Sequence, residues 1–458
     1  MQRASRWAHG VAVGVLTMFL VVAPIFAQEL HLVPHRGSSP ADERVRNAQA
    51  AVHEGGGVAA LHALGWAFVA VARRTQDPGN YGLADSAARA ALAEDHDDLE
   101  ALLLRGHALH SLHRFEEAEA VARRLVASRG SWADHALLGD TVVDRGGVDE
   151  AITPYQRMME LRPSPVAYGR AAHLRWLRGD LAGAIESLAR AARSTGPDAE
   201  VDAWHRVRLG ELILSLGRVD AARQLAASAM AAVPEFPLAR LLVGHCDLID
   251  GRPDAACETL GAAARACPEP RFLWPLIEAQ RAAQRWDDAR DTERRLLAGG
   301  AEDDPRIVSL YLATHGQESL RALRLAVTEA RARRDVHTLD AIAWALLRAG
   351  FESEALPIQR LALAHGTPDP RLLLHAAIAE EVIGDRQRAA TLRERLLPLE
   401  RSLYPSEKGL IAALDVRLGR AFTTPLPRTG DLSGPVEPAP EANLAPPRDG
   451  LPIRDAQR

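Results

Sequence analysis

Lysine is all but missing from this chain: Lys408 stands alone among 55 basic residues, and the rest are arginine. That bias is expected of a GC-rich bacterial genome and implies no chemical task. Cysteine is almost as scarce. Cys246, Cys257 and Cys267 are the only three, and none forms the Cys-x-x-Cys spacing that zinc or redox chemistry needs. Buried thiols beside alanines are the expectation, with one disulfide and a leftover thiol as the alternative in an oxidising compartment. Eight Phe and eight Trp in 458 residues leave Leu, Ala and Val to build the core, and β-branched runs are few. No excess of one charge is present either. The net charge is −5, and arginines alternate with acids, as in Arg114-Phe115-Glu116-Glu117 and Arg285-Trp286-Asp287-Asp288. Such mixing makes a solvated helix face and not a nucleic-acid footprint. Catalytic motifs are also wanting: there is no glycine-rich phosphate loop, Gly-x-Ser-x-Gly elbow or His-Glu-x-x-His helix. Asp134-His135 falls on an ordinary helix surface, and Glu302, Asp303 and Asp304 offer only exposed acids. The chain is expected not to be an enzyme and to need no cofactor or metal.

What the chain has in abundance is itself. An alanine recurs as Ala84, Ala118, Ala151, Ala184, Ala222, Ala256, Ala289, Ala322, Ala355 and Ala389, at steps of 33 or 34 with one of 38. Residues 237–269 show the unit in full. Leu238, Leu241, Leu242, Leu248 and Ile249 recur at three- and four-residue steps along one side of a helix ending at Gly251. A second helix starts near Asp254, with small residues Ala255, Ala256, Ala262, Ala263 and Ala266, and Pro268 stops it because proline has no donor for the next hydrogen bond. Five residues before many of the alanines stands a turn glycine: Gly146, Gly179, Gly217, Gly251, Gly350 and Gly384. Twelve before lies a second small residue: Gly106, Gly139, Gly210 and Gly244, replaced by Ala172, Ala343 and Ala377. A lone helical hairpin cannot cover its own apolar stripes, so these units must stack on one another.

The 34-residue period, Leu209-Gly210, the Gly217 turn, the alanine early in each second helix and the closing prolines Pro163, Pro234 and Pro268 resemble the tetratricopeptide repeat. The resemblance covers residues 58 to 403. It implies an all-α, right-handed α-solenoid of about ten hairpins with a concave groove that binds a protein or peptide. Two places depart from the pattern: Arg74 to Gly82 lengthens a turn, and residues 193–202 hold four or five extra residues. The copy at 303–335 is aromatic-poor, with Gly316 where a longer first helix would run. Residues 335–355 and the stretch after them resemble the closing repeats of exported bacterial members. Thr338 is expected to cap that unit's first helix, with Asp340 in its first turn.

Flanking segments complete the division of the chain. Arg3 and Arg6 precede an apolar run from Val11 to Val22, and Ala27 offers a small-residue cut. This is the pattern of a secretory signal over residues 1–27; an uncleaved membrane anchor is the alternative and the only route to membrane association. The expected location is periplasmic or secreted. Residues 28–57 read as a linker, mobile up to residue 42, followed by a short leading helix from Glu43 to His53. Residues 58–403 are the solenoid and 404–421 a capping helix that closes its open end. Residues 422–458, with eight prolines, read as a disordered tail.

In tetratricopeptide repeats the first helix of each unit lines the groove. Carried over to matching places, the resemblance nominates His62, Trp66, His107, His110, Asp140, Asp144, His173, Trp176, Trp204, Glu211, His245, Trp274, Glu278, Arg281, Asp340 and Trp344, with His337 and Arg371 beside them. Tryptophan faces beside polar heads suit a peptide, because indoles offer much contact area at little entropic cost. Trp132 and Trp286 fall outside the groove places and read as structural. His107 and His110, with Asp140 and Asp144 on the next unit, give the alternative of a small-ligand or metal-ion binding protein.

Overall fold

The computed structural model describes residues 30–193 and 198–420, and every regular element among them is helical. The proposed leader and the proline-rich tail lie outside the described residues. A leading helix α1 (Pro40–His53) is followed by antiparallel pairs: α2 (Gly57–Thr75) with α3 (Gly79–Glu94), α4 (Leu99–Ser111) with α5 (Phe115–Ser128), α6 (Trp132–Asp144) with α7 (Ile152–Leu161), α8 (Pro165–Leu177) with α9 (Leu181–Arg193), and α10 (Ala199–Ser215) with α11 (Val219–Ala232). The second half repeats the plan with α12 (Pro237–Ile249) and α13 (Pro253–Ala266), and with α14 (Pro270–Ala282) and α15 (Trp286–Ala298). A single turn, α16 (Gly300–Asp303), leads into α17 (Pro305–Thr314) with α18 (Ser319–Glu329), then α19 (Val336–Arg348) with α20 (Glu352–Ala362) and α21 (Pro370–Val382) with α22 (Arg386–Leu396). A final helix, α23 (Pro405–Leu418), closes the stack. These are the ten hairpins and the capping helix of a tetratricopeptide-like α-solenoid.

The alanine register explains the packing. All ten alanines are at most 2% exposed, each where a second helix crosses its neighbours too closely for a larger side chain. At Gly139 the approach is tighter still, since a Cβ there would lie 2.3 Å from the Tyr155 ring. The turn glycines adopt the left-handed conformation that closes a helix, at φ between 69° and 94° for Gly146, Gly179, Gly217, Gly251, Gly350 and Gly384. One continuous apolar core runs from Ala136 to Leu414, and a smaller one joins α1 to α4 through Val45, Leu64, Phe68 and Leu104. Each fully buried Leu or Phe in such a core contributes about 1.5–3 kcal/mol.

Three local expectations change. The leading helix starts at Pro40, three residues earlier than Glu43, because Ser39 and Asp42 form a capping box. The segment before it is not wholly loose: Leu30–Leu32 is a turn of 3-10 helix, His31 is buried, and the Gln49 amide donates to the carbonyls of His31 and Val33 at 2.9 and 2.8 Å. Asp335, and not Thr338, caps α19, accepting from the Thr338 amide at 2.7 Å. The Thr338 hydroxyl is buried without a partner, and Asp340 faces the interior and not solvent.

The solenoid coils tightly enough for one superhelical turn to rest on the next. The carbonyl of Gln76, after α2, meets the Cys267 thiol at 3.4 Å, 191 residues on. Asp144 O accepts from the Arg334 amide at 2.9 Å. Leu177 O accepts from the Thr367 hydroxyl at 2.6 Å, 190 residues on, and Gly217 O from Arg401 at 3.4 Å, 184 residues on. At 34 residues a repeat, that offset is roughly five and a half hairpins per superhelical turn. Each ledge sets the turn inside one hairpin against the loop between two later ones. Gly146 serves this contact as well as its own turn, since a Cβ there would meet Arg334 O at 2.8 Å.

All three thiols are free and buried. Burial pushes Cys246 up to about 11 and Cys267 up to about 12, so both stay protonated and unreactive at neutral pH.

Candidate functional site

The inner wall of the first five hairpins encloses a cavity of about 850 Å³. The first helices of these hairpins supply its lining, because each presents the same face inward at every repeat. Trp66, His107, His110, Asp140, Asp144, His173, Trp176, Trp204 and Glu211 all line it, so nine of the nominated residues come together. Tyr81, Trp132, Arg73, Arg162, Arg170, Arg208 and Arg271 join them.

The aromatic groups form a discontinuous band. Trp66 lies 5.6 Å from the His107 ring, and Tyr81 meets the same imidazole edge-on at 6.1 Å. Trp176 stacks between His173 at 6.0 Å and His337 at 5.6 Å, the latter from the next superhelical turn. Trp204 is 37% exposed, with Arg208 5.9 Å above its ring. Trp132, which begins α6 immediately after its Ser131 cap, carries the Arg162 guanidinium at 4.9 Å. The expectation that Trp132 is purely structural is corrected: it is half-buried and forms part of the wall. It escapes the repeat-based reading because it occupies the first helical position and not a groove place.

The lining charges are largely matched. Asp140 accepts from Arg170 at 2.7 Å and from the Tyr155 hydroxyl at 2.7 Å. His110 Nε2 and Asp144 are 2.8 Å apart. Burial would raise Asp144, but the His110 hydrogen bond and the charges of His110 and Arg333 outweigh it and hold the carboxyl low. Burial would lower His110, and the same bond holds it above its ordinary value. Burial, with Arg73 beside it, drives His107 well below its ordinary value and keeps it neutral; burial and Arg208 bring His173 down to about 4. Arg208 pairs with Glu211 and Arg73 lies 3.6 Å from Asp198. Among the described residues no three His, Cys, Asp or Glu side chains are grouped to hold a metal ion.

Seven nominated residues lie elsewhere. His62 pairs with Asp98 at 2.8 Å outside the cavity lining. The others belong to the second half, whose interior α23 and the loop before it fill. Tyr404 packs on His245 at 4.9 Å and Trp274 at 5.5 Å, while Arg371 lies 4.6 Å over Trp274 and pairs with Glu407. Trp274, 2% exposed, donates to Glu278 at 3.0 Å, and Ser406 donates to the same carboxylate. Burial would raise Glu278; hydrogen bonds from His315, Ser406 and Trp274 hold it low. Arg281 bonds Tyr311 and Glu293 at 3.0 and 3.1 Å. Trp344 lies flat on His375, 4.1 Å between centroids, and donates to Thr314 at 3.3 Å, while Asp340 binds His375 and Gln359, each at 2.9 Å. Trp274, Glu278, Asp340 and Trp344 are thus buried packing residues, correcting the expectation that they form an open groove wall.

No protein-family model matches this chain, and no curated protein matches it. Among solved structures it is similar to the human IFIT1 dimer with m7Gppp-AAAA, at 13% identity over 81% of this chain and 94% of that one, TM-score 0.45. It is also similar to MamA, at 22% identity over 35% of this chain and 93% of that one, TM-score 0.29.

Proposed function

We propose that this chain is a peptide- or protein-binding scaffold of the bacterial cell envelope, exported by its N-terminal leader, that holds its ligand in the cavity of the first five hairpins and carries out no reaction of its own. The observation that carries the reading is the contrast between two sets of tryptophans on first helices, at places the repeat pattern assigns to the groove. Trp274 and Trp344 are buried with bonded indoles, whereas Trp66 and Trp204 stand on the wall of a cavity. An indole that is only partly covered by its neighbours and lines a cavity is an anchor for a partner. The volume falls within the roughly 300–1,000 Å³ of ligand sites, enough for a short extended segment. The paired charges favour a ligand of little net charge, which suits a peptide better than a nucleic acid. Among the described residues no helix is long and apolar enough to cross a membrane, so membrane attachment in this reading rests on the leader alone.

The test is affinity capture from a periplasmic extract with the tagged full chain, the Trp66→Ala/Trp204→Ala variant and a Trp286→Ala control. Trp286 is 55% exposed and lies outside the cavity lining. Partners retained by parent and control and lost from the double variant are expected. An identical set from all three sinks the reading.

A further inference from the structure

Counting polar groups in the cavity narrows its ligand. Trp274 and Trp344 donate their indole N–H groups to Glu278 and Thr314. Trp66, Trp132, Trp176 and Trp204 donate theirs to no described residue, and all four line the one cavity. Of the neighbouring carboxylates, Asp140 accepts from Arg170, Asp144 from His110 and Glu211 from Arg208, while Asp198 and Glu200 lie 3.6 and 3.7 Å from the Arg73 and Arg74 guanidinium groups. The wall therefore has unspent donors and flat apolar faces to give, and its carboxylates already face cations. A ligand complementary to it brings carbonyl acceptors and few N–H donors. Proline meets that description among the amino acids, since its ring packs on an indole while its nitrogen carries no hydrogen. Proline-rich segments also hold an extended polyproline helix without internal hydrogen bonds, so little order is lost when they dock on aromatic walls.

The sequence contains such a segment. Residues 425–447 hold Pro425, Pro427, Pro435, Pro438, Pro440, Pro446 and Pro447. Where the described chain ends makes the approach short. Arg401, just before α23, rests on Gly217, just after α10, and α10 carries Trp204. From Arg420 the way back along α23 and then α10 to Trp204 is about 40 Å at 1.5 Å per helical residue. The polyproline rise of about 3.1 Å per residue covers that span with roughly 13 residues, fewer than the 38 that follow Arg420.

We propose that the cavity of the first five hairpins is a site for extended proline-rich segments, and that its resident occupant is the chain's own residues 425–447, which a partner with a similar segment displaces. The proposal deepens the peptide-binding reading above and rests on it.

The experiment uses full-length mature protein and a fluorescently labelled synthetic peptide of residues 423–449, followed by anisotropy. One chain is the parent; a second has the seven prolines named above replaced by serine; a third adds Trp204→Ala to the serine chain, and a fourth adds Trp286→Ala. A tethered tail acts at an effective concentration of about millimolar, so for a Kd of about 100 μM the resident segment should weaken peptide binding about tenfold. The peptide is expected to bind the serine chain at about 10–100 μM and the parent at least tenfold more weakly. Trp204→Ala should weaken binding to the serine chain about tenfold and Trp286→Ala should leave it unchanged, with far-UV circular dichroism matching across the set. Absence of saturable binding to the serine chain overturns the ligand class. Equal affinity for parent and serine chain overturns residence of the tail, and binding indifferent to Trp204→Ala overturns the site. If the peptide fails while Trp66→Ala/Trp204→Ala still abolishes periplasmic capture, the cavity binds protein but not proline-rich segments; if both fail, the broader reading falls with it.

Discussion

Tryptophans on the first helices of different hairpins should differ greatly in what they contribute to stability. Trp344 lies parallel to His375 and is 1% exposed, so Trp344→Ala leaves a cavity and should cost about 3–5 kcal/mol. Trp204, 37% exposed, should cost under about 1 kcal/mol on the same change. Urea melts of the two variants against the parent check this, and equal losses would contradict the assignment of one to packing and the other to the wall. Histidines give a second prediction at this scale. His205 is 2% exposed, and burial, with Arg170 and Arg206 nearby, brings it down to about 4 from 6.5. Because its folded value lies below the unfolded one, the unfolded chain takes up the proton first as pH falls from 6.5 towards 4. His205 therefore withdraws stability over that window and is neutral in its effect above it. His110, held above 6.5 by Asp144, acts in the opposite sense: its contribution is complete below 6.5 and is lost as pH rises through its folded value. His113, His173 and His245, all lowered to about 4 with burial as the leading cause, side with His205. Stability should fall between about pH 7.5 and about pH 5.5, and His205→Gln should reduce that fall by about 1 kcal/mol.

At the scale of the element, the hairpin is where most of the architecture could be read in advance. A period of 33 or 34 is a local property, and the residues that set it, an alanine at a crossing and a glycine at a turn, act on neighbours within one repeat. Ala256 is fully buried, so Ala256→Leu should overpack the junction and cost about 1–3 kcal/mol. Asp254 is 78% exposed on its side chain and pairs with Arg285, so Asp254→Asn should change stability by less than about 0.5 kcal/mol. Melting both variants beside the parent tests the register directly. Caps were less legible. Asp335 and Thr338 are both acceptable caps by residue type, and only the start of α19 at Val336 decides between them. The wall was half legible for a different reason. Trp66, Trp204, Trp274 and Trp344 all fall on groove places of first helices, and the repeat pattern alone does not mark two of them as buried. For Trp274 the distinction comes from Tyr404, which reaches it from 130 residues away, and for Trp344 from His375 and Thr314 of the adjoining hairpins. Trp132 reads as structural from the sequence because its position at a helix start has no counterpart among the groove places.

On the scale of the whole molecule, contacts between hairpins about 190 residues apart leave no periodic trace in the sequence. An open stack of repeats is held only by nearest neighbours and unravels from its ends. Here the Gln76–Cys267, Leu177–Thr367 and Gly217–Arg401 contacts tie early hairpins to late ones. Urea unfolding followed by circular dichroism and by tryptophan fluorescence should therefore give coincident transitions; separated midpoints would show that the ledges contribute little. Thr367→Val removes the hydroxyl donated to the buried Leu177 carbonyl. It should cost about 1–3 kcal/mol and increase the radius of gyration measured by X-ray scattering.

The same ledges also finish the lining of the cavity. With one coil seated on the next at Gln76, Asp144, Leu177 and Gly217, residues far apart in the chain come to share one wall, as His337 does in stacking on Trp176 at 5.6 Å. A change confined to a late hairpin should therefore be felt by whatever the early ones hold.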